Sequence, residues 1–326
     1  MSQANPLKRI YQTVEQDFSG VNDQIISQLH SDVSLVDKIS HYITEAGGKR
    51  LRPLLVLLSA KACQYKQQDH IPLAAIIEFL HTATLLHDDV VDTSNLRRGR
   101  ATANAIWGNA PSVLVGDFLY SRAFQMMVKL GNMQIMQVLA DATNVIAEGE
   151  VMQLMNIGNS ATTEADYFEV IRCKTAMLFE ASSQTAAILA NSSTEQENNL
   201  RQYGYHLGMA FQLIDDVLDF QGSAEEMGKN VGDDLAEGKP TLPLIHTIEA
   251  GSINDAELVK EAIENPSQLD LKAVISAVKR SGALDYTQSL AEQQADLAIK
   301  CIADLPESEH KQAMIELAHF SVNRNH

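Results

Sequence analysis

The chain has 326 residues, 45% of them hydrophobic, and a formal net charge of −17. That length allows one large domain or two ordinary ones, and the acidity argues against a nucleic-acid partner and against a polybasic membrane anchor. Three distant cysteines, Cys63, Cys173 and Cys301, form neither a disulfide framework nor a zinc pattern. With no signal-peptide core near Met1 and no run of membrane-spanning length, a reduced, cytoplasmic protein without stable membrane insertion is expected.

Residues rich in Ala, Leu, Gln, Met and Glu recur at helical spacing from near Val14 to near Asn323, and strand-like alternation is scarce. The expected breaks are Gly47-Gly48, His70 to Pro72, Gly108 to Pro111, Gly158 to Thr162, Asn191 to Ser193, Gly222 to Gly238, Gly251 to Asn254, and Pro266. Several helices between them should exceed about twenty residues, well above the usual mean of about 11–12. Thr194-x-x-Glu197 fits a capping box that opens one of them. No linker, low-complexity tract or short repeat interrupts the pattern, so a single all-α domain over 1–326 is the simplest reading.

The first basic cluster is Gly47-Gly48-Lys49-Arg50-Leu51-Arg52-Pro53. Its glycines permit close backbone approach, its proline suits the first turn of a helix, and its cations suit diphosphate. Next comes Asp88-Asp89-Val90-Val91-Asp92, set among Leu and Val rather than Lys and Ser. Residues four apart share a helix face, so Asp88 projects beside Asp92, and His81, Thr84 and Leu85 continue the same stripe. Arg97-Arg98-Gly99-Arg100 follows within about a turn. Lys174-Thr175 falls mid-helix. Then the first acidic spacing repeats in Asp215-Asp216-Val217-Leu218-Asp219, with Gln212 on its stripe, and Lys229 and Lys239 follow in a Gly-rich loop.

Like charges four apart destabilise a bare helix. Two such blocks in apolar settings imply a cation, and carboxylate oxygens suit Mg²⁺, which is usually held by a few carboxylates together with substrate phosphates. Basic residues beside both blocks fit a reaction that stabilises a departing diphosphate. No Ser/His/Asp or Cys/His arrangement stands out.

With these motifs the chain resembles the trans-type polyprenyl diphosphate synthases, most closely the long-chain, octaprenyl-type enzymes of bacterial quinone synthesis, from about Gly20 to the last helix. The resemblance implies an isoprenoid synthase-type bundle of long helices around a deep central cavity. It implies two Mg²⁺ on Asp88 and Asp92 and a third on Asp215, with Asp89, Asp216 and Asp219 completing or supporting their shells. Arg97, Lys174, Lys229 and Lys239 would bind the allylic diphosphate; Lys49, Arg52, His81 and Arg98 would bind isopentenyl diphosphate. Thr175 and Gln212 would line the reacting centre. A homodimer is usual in the family.

Product length should depend on the path of the growing tail. Ala83 and Thr84, just over one turn before Asp88, are small and leave that path open. The floor is then expected deeper, on the helix after Gly116, with Phe124, Met126, Met127 and Leu139 as candidates. The expected product is all-trans and near eight units, made from a primer such as farnesyl diphosphate, for the side chain of respiratory quinones. Heptaprenyl, nonaprenyl and geranylgeranyl products are the neighbouring alternatives. A terpene cyclase should lack the second Asp block and the basic turn, a di-iron bundle needs paired Glu-x-x-His motifs, and a non-catalytic synthase subunit should have lost aspartates that this chain keeps.

Overall fold

A computed structural model describes residues 6–45, 47–221, 232–268 and 270–324. The long helices expected from the apolar periodicity are present: α5 His70–Val91, α7 Asn109–Leu130, α8 Met133–Asn156 and α11 Thr194–Gln221. Before α5 come α1 Pro6–Gln12, α2 Glu15–Leu29, α3 Ser34–Glu45 and α4 Leu51–Ala62. Between the long helices lie α6 Ala103–Trp107, α9 Glu164–Ile171 and α10 Met177–Leu189, and six further α-helices follow residue 232 among the described residues. No helix among the described residues is long and apolar enough to cross a membrane.

Several helix starts show why the chain breaks where it does. Gly108 has φ +89° and is followed directly by α7. Pro53 and Pro72 sit in the first turns of α4 and α5, where their missing N–H groups have no intrahelical partner in any case. The break expected at His70 to Pro72 is therefore already helix, and the turn lies just before it. The capping box expected at Thr194 is displaced by one residue. Ser193 Oγ accepts the N–H of Gln196 at 3.2 Å, while the Glu197 carboxylate accepts from Gln134 and Gln184. A reciprocal box does occur at Thr163 and Asp166, opening α9.

The chain forms two compact units. The first runs to Thr143 and adds Leu178–Gly204 and Cys301–Leu317; the second holds Asn144–Met177, Tyr205–Lys300 and the residues from Ala318. Helices α8 and α11 contribute residues to both.

In the first unit α5 packs most extensively on α7 and also on α2 and α4. Its core includes Leu54, Leu55, Leu57, Leu58, Leu73, Ile76, Phe79, Leu80 and Leu119, each no more than 1% exposed. A partly buried knot of polar side chains ties three of these helices: Asp17 on α2 pairs with Lys61 on α4 at 2.7 Å and with His70 on α5 at 3.0 Å. Burial pushes the Asp17 carboxyl up, but hydrogen bonds from Lys61 and His70 hold it below the usual carboxylate range. A depressed carboxylate contributes stability above its unfolded value of about 3.9 and loses it as pH falls through the folded value. Asp17→Asn should therefore lower the melting midpoint by a few degrees at pH 7, and the gap to the wild type should close as the pH is taken from about 5 to below about 3. A gap independent of pH in thermal melts would rule out this ionic contribution.

In the second unit one cluster gathers Tyr167, Ile171, Ala176, Met209, Leu213, Ile214, Leu242 and Ile245. A second gathers Phe220, Leu235, Leu244, Val259, Ile263, Val274 and Val278. The first lies under the C-terminal half of α11 and fixes which of its faces carries the aspartates.

Candidate active site

Each Asp block ends a long helix. Asp88 and Asp89 lie in the last turn of α5 with Asp92 as its C-cap, and Asp215, Asp216 and Asp219 lie in the last two turns of α11. Carboxylates there face the negative end of the helix dipole, which adds to their mutual repulsion. The structure divides the first two aspartates of each block in the same way. Asp88, Asp92 and Asp215 are partly exposed, whereas Asp89 and Asp216 are each 1% exposed. Asp219, in the second block, is also buried.

In the first unit Asp89 Oδ1 accepts from Arg97 Nε at 2.9 Å and from Nη2 at 2.8 Å. This steers Arg97 as well as offsetting the charge. The Arg-rich segment after the block is a small hairpin, Leu96–Arg97 paired with Arg100–Ala101. Arg98 and Gly99 form its two-residue turn with φ +53° and +72°, the positive-φ pair that a type I′ turn requires.

The basic turn meets the hairpin at Gly48, whose φ is +153° and where an added Cβ would fall 2.3 Å from Arg98 Nη1. Only glycine fits there. Arg50 caps α4 with φ 40° and anchors the turn: its guanidinium donates to Asn22 Oδ1 and to Thr44 O and lies 3.6 Å from Glu78. Glu78, one turn before His81 on α5, is a residue the sequence reading missed. An acid inside the apolar run Ala74–Leu80 was the available signal. Burial raises its carboxyl, and Arg50, Arg52 and Arg98 pull it back.

Arg52 Nη1 donates to His81 Nε2 at 3.3 Å, and its guanidinium stacks 4.3 Å from the Phe179 ring centroid. Burial, then Arg52, Arg98 and Arg97, hold the His81 imidazole well below its ordinary value, so it is a neutral acceptor that orients Arg52. Arg52, His81, Arg97 and Arg98 are thus linked through shared contacts and fields, and Lys49 directly precedes the Arg50 cap of α4.

In the second unit Lys174 and Thr175 sit in a single π-helical turn, Arg172–Ala176, between α9 and α10. Such turns concentrate at functional sites. Gly149 on α8 lies against it, and a Cβ there would come within 2.8 Å of Cys173 Cβ and of the Lys174 amide nitrogen. Lys174 Nζ pairs with Glu150 at 2.6 Å. Thr175 Oγ1 donates to Gln212 Oε1 at 2.8 Å, Gln212 Nε2 donates to Asp216 Oδ1 at 2.8 Å, and Tyr167 OH donates to Asp216 Oδ2 at 2.5 Å. Burial and the Asp234 carboxylate push Asp216 up, and its two donors pull it back.

Arg324, from the far end of the chain, donates to Asp215 Oδ1 at 2.5 Å and to Phe211 O at 2.7 Å. Its guanidinium lies 3.7 Å over the Phe211 ring. Lys239 pairs with Glu237 at 2.5 Å, and Lys229 lies outside the described residues.

Of the residues expected to govern tail length, Ala83, Met126, Met127 and Leu139 are buried, and Thr84 Oγ1 donates to His81 O at 2.7 Å. Leu139 belongs to α8, past the Gly131 break, rather than to the helix containing Gly116. Phe124 is 38% exposed.

Among the described residues no cluster of three or more His, Cys, Asp or Glu side chains could hold an ion alone. The donors present are carboxylate oxygens on helix ends, partly exposed at Asp88, Asp92 and Asp215. Hard divalent cations that complete their shell with phosphate oxygens fit this set.

Long helices carrying two Asp-Asp-x-x-Asp ends, with arginines organised beside the first and Lys174, Thr175 and Gln212 beside the second, define a diphosphate-dependent prenyltransferase of the all-α isoprenoid synthase fold. The chain belongs to the polyprenyl synthetase family, whose profile matches residues 33–278. It is 51% identical over 320 residues to the octaprenyl diphosphate synthase of Escherichia coli K12, covering 98% of this chain and 99% of that one. It is 46% identical over 312 residues to the all-trans-nonaprenyl-diphosphate synthase (geranyl-diphosphate specific) of Rhodobacter capsulatus, covering 95% and 96%. The crystal structure of a polyprenyl synthase from Caulobacter crescentus, complexed with calcium and isoprenyl diphosphate, superposes with a TM-score of 0.96 at 43% identity, covering all of both chains. The chain is a polyprenyl diphosphate synthase that uses divalent metal.

Proposed function

We propose that this enzyme makes all-trans octaprenyl diphosphate by adding isopentenyl diphosphate to an allylic primer such as farnesyl diphosphate, supplying the side chain of respiratory quinones. The whole chain would work as one catalytic domain, in the cytoplasm and as a homodimer. The observation that carries the chain length is the end-to-end 51% identity to an octaprenyl synthase, and small side chains at Ala83 and Thr84 agree with it. Incubating purified protein with farnesyl diphosphate, isopentenyl diphosphate and Mg²⁺, then resolving the products by chromatography, tests the reading. A nine-unit product would favour the nonaprenyl alternative.

In this reading Asp88 and Asp92 hold two Mg²⁺ ions and Asp215 a third, with Asp219 in support. Bound there, the metal neutralises the diphosphate as its allylic C–O bond breaks. Arg97, Lys174, Lys229 and Lys239 hold the leaving diphosphate. Lys49, Arg52 and Arg98 hold isopentenyl diphosphate, with neutral His81 keeping Arg52 aimed. The isopentenyl double bond attacks the allylic carbon, and the departing diphosphate takes the proton that is lost. Oxygen dipoles of Thr175 and Gln212 stabilise the positive carbon in between.

The cation assignment can be checked directly. Lys49→Ala or Arg98→Ala should raise KM for isopentenyl diphosphate by about tenfold or more, the scale of a lost charge-assisted hydrogen bond, with a smaller effect on the allylic substrate. Lys229→Ala should do the reverse. Equal changes in both Michaelis constants would mean that the cations are assigned to the wrong substrates.

A further inference from the structure

The second aspartate of the α11 block has an environment that suits another task than metal binding. Asp216 is 1% exposed, and both of its oxygens already accept protein hydrogen bonds, from Gln212 Nε2 at 2.8 Å and from Tyr167 OH at 2.5 Å. Tyr167 is itself 4% exposed within an apolar cluster. A phenol there has one proton to donate, and it goes to Asp216.

With Oδ2 taken by Tyr167, Asp216 presents Oδ1 to Gln212 as an acceptor. It therefore fixes which way the Gln212 amide lies: the NH₂ group faces Asp216, and Oε1 is left for Thr175, whose hydroxyl donates to it at 2.8 Å. The Thr175 proton is committed inward, so its oxygen presents lone pairs outward. With the amide reversed, Gln212 would donate to Thr175, and the hydroxyl proton would be free to turn outward. That places the wrong sign of dipole beside a developing carbocation. Asp89, in the first block, is likewise 1% exposed and accepts from Arg97, so it too orients a neighbour through protein hydrogen bonds.

We propose that Tyr167 and Asp216 are positioning residues: Tyr167 fixes Asp216, Asp216 orients the Gln212 amide, and Gln212 in turn sets the polarity that Thr175 presents to the reacting carbon, so that Asp216 is not a metal ligand. This rests on the reading of Thr175 and Gln212 as residues at the reacting centre.

The test compares Tyr167→Phe, Asp216→Asn and Asp215→Asn in the full-length enzyme. Tyr167→Phe keeps the ring and removes only the donor. It should lower kcat by about tenfold, with both Michaelis constants and the Mg²⁺ half-saturation concentration within about twofold of wild type. Metal binding is read separately from turnover, by electron paramagnetic resonance of Mn²⁺ with inorganic diphosphate. Asp216→Asn should titrate like the wild type, and Asp215→Asn should bind at least one ion more weakly. An unchanged kcat in Tyr167→Phe overturns the positioning role. A loss of Mn²⁺ affinity in Asp216→Asn equal to that in Asp215→Asn makes Asp216 a ligand and overturns the proposal by another route. Should Tyr167→Phe fail to fold, the Mn²⁺ titration of Asp216→Asn still decides. A wild-type enzyme that yields no prenyl product would count against the proposed function, while the Mn²⁺ comparison would still judge Asp216.

Discussion

Asp88→Asn and Asp215→Asn should each lower turnover by about a hundredfold or more while leaving the helical fold intact. Both positions are partly exposed at helix C-termini, so the substitution removes a charge without opening a core. Each also relieves repulsion from a neighbouring carboxylate and from the helix dipole. Asp215 has one protein partner that must be considered, because Arg324 donates to its Oδ1. Asparagine retains an acceptor there, and Arg324 stays anchored on Phe211. The loss should therefore appear in kcat and in the Mg²⁺ dependence, because the ligand charge matters most as the diphosphate departs. Circular dichroism should be unchanged, EDTA should abolish wild-type activity, and Mg²⁺ should restore it. Near-normal turnover in either variant would sink the assignment of the two blocks to metal.

Ala83→Tyr should shorten the product from about eight isoprene units to three or four. One helical turn rises about 5.4 Å, and an extended isoprene unit is roughly as long, so a side chain one turn before Asp88 meets the tail early. Ala83 is fully buried on α5. At Thr84 the hydroxyl is held by the carbonyl of His81, so its methyl is the group left for apolar contact. A tyrosine at Ala83 must displace something. If it displaces the tail, the first condensations survive and the later ones stop. If it only overpacks the contact between helices, stability falls by about 1–3 kcal/mol and the product keeps its length. Chromatography of the products, read beside a thermal melt, separates the two outcomes. A full-length product at a normal rate would mean that the tail does not pass Ala83.

The sequence carried the parts of this enzyme that depend on near neighbours. The repeated Asp spacing, the basic turn and the helix breaks are visible within a few residues. Even there the cap of α11 is Ser193 rather than the expected Thr194, because both are competent caps and only the backbone conformation chooses between them. The remainder depends on residues far apart in the chain. Tyr167 meets Asp216 across 49 positions and Arg324 meets Asp215 across 109; no periodicity connects them. The partners of Glu78 and Glu150 emerge only once Arg50 and Lys174 are in place beside them. The spacing also makes all aspartates of a block look equivalent. Only packing shows that Asp89 and Asp216 are inward members, with Oδ1 of Asp89 and both oxygens of Asp216 engaged by protein donors.

The π-helical turn at Arg172–Ala176 makes the segment sensitive to length in a way that residue identity alone would not reveal. A turn of this kind holds one more residue than an α-helical turn. Deleting any single residue within it would let the segment close as ordinary helix, with every backbone hydrogen bond still formed and little loss of helical content. The residues on one side of the cut would nevertheless rotate by about 100° against those on the other. Lys174 would leave Glu150, or Thr175 would leave Gln212. Across related sequences this stretch should therefore admit substitutions yet exclude insertions and deletions, and an alignment gap placed inside it would mark either a misalignment or a protein that has given up the reaction.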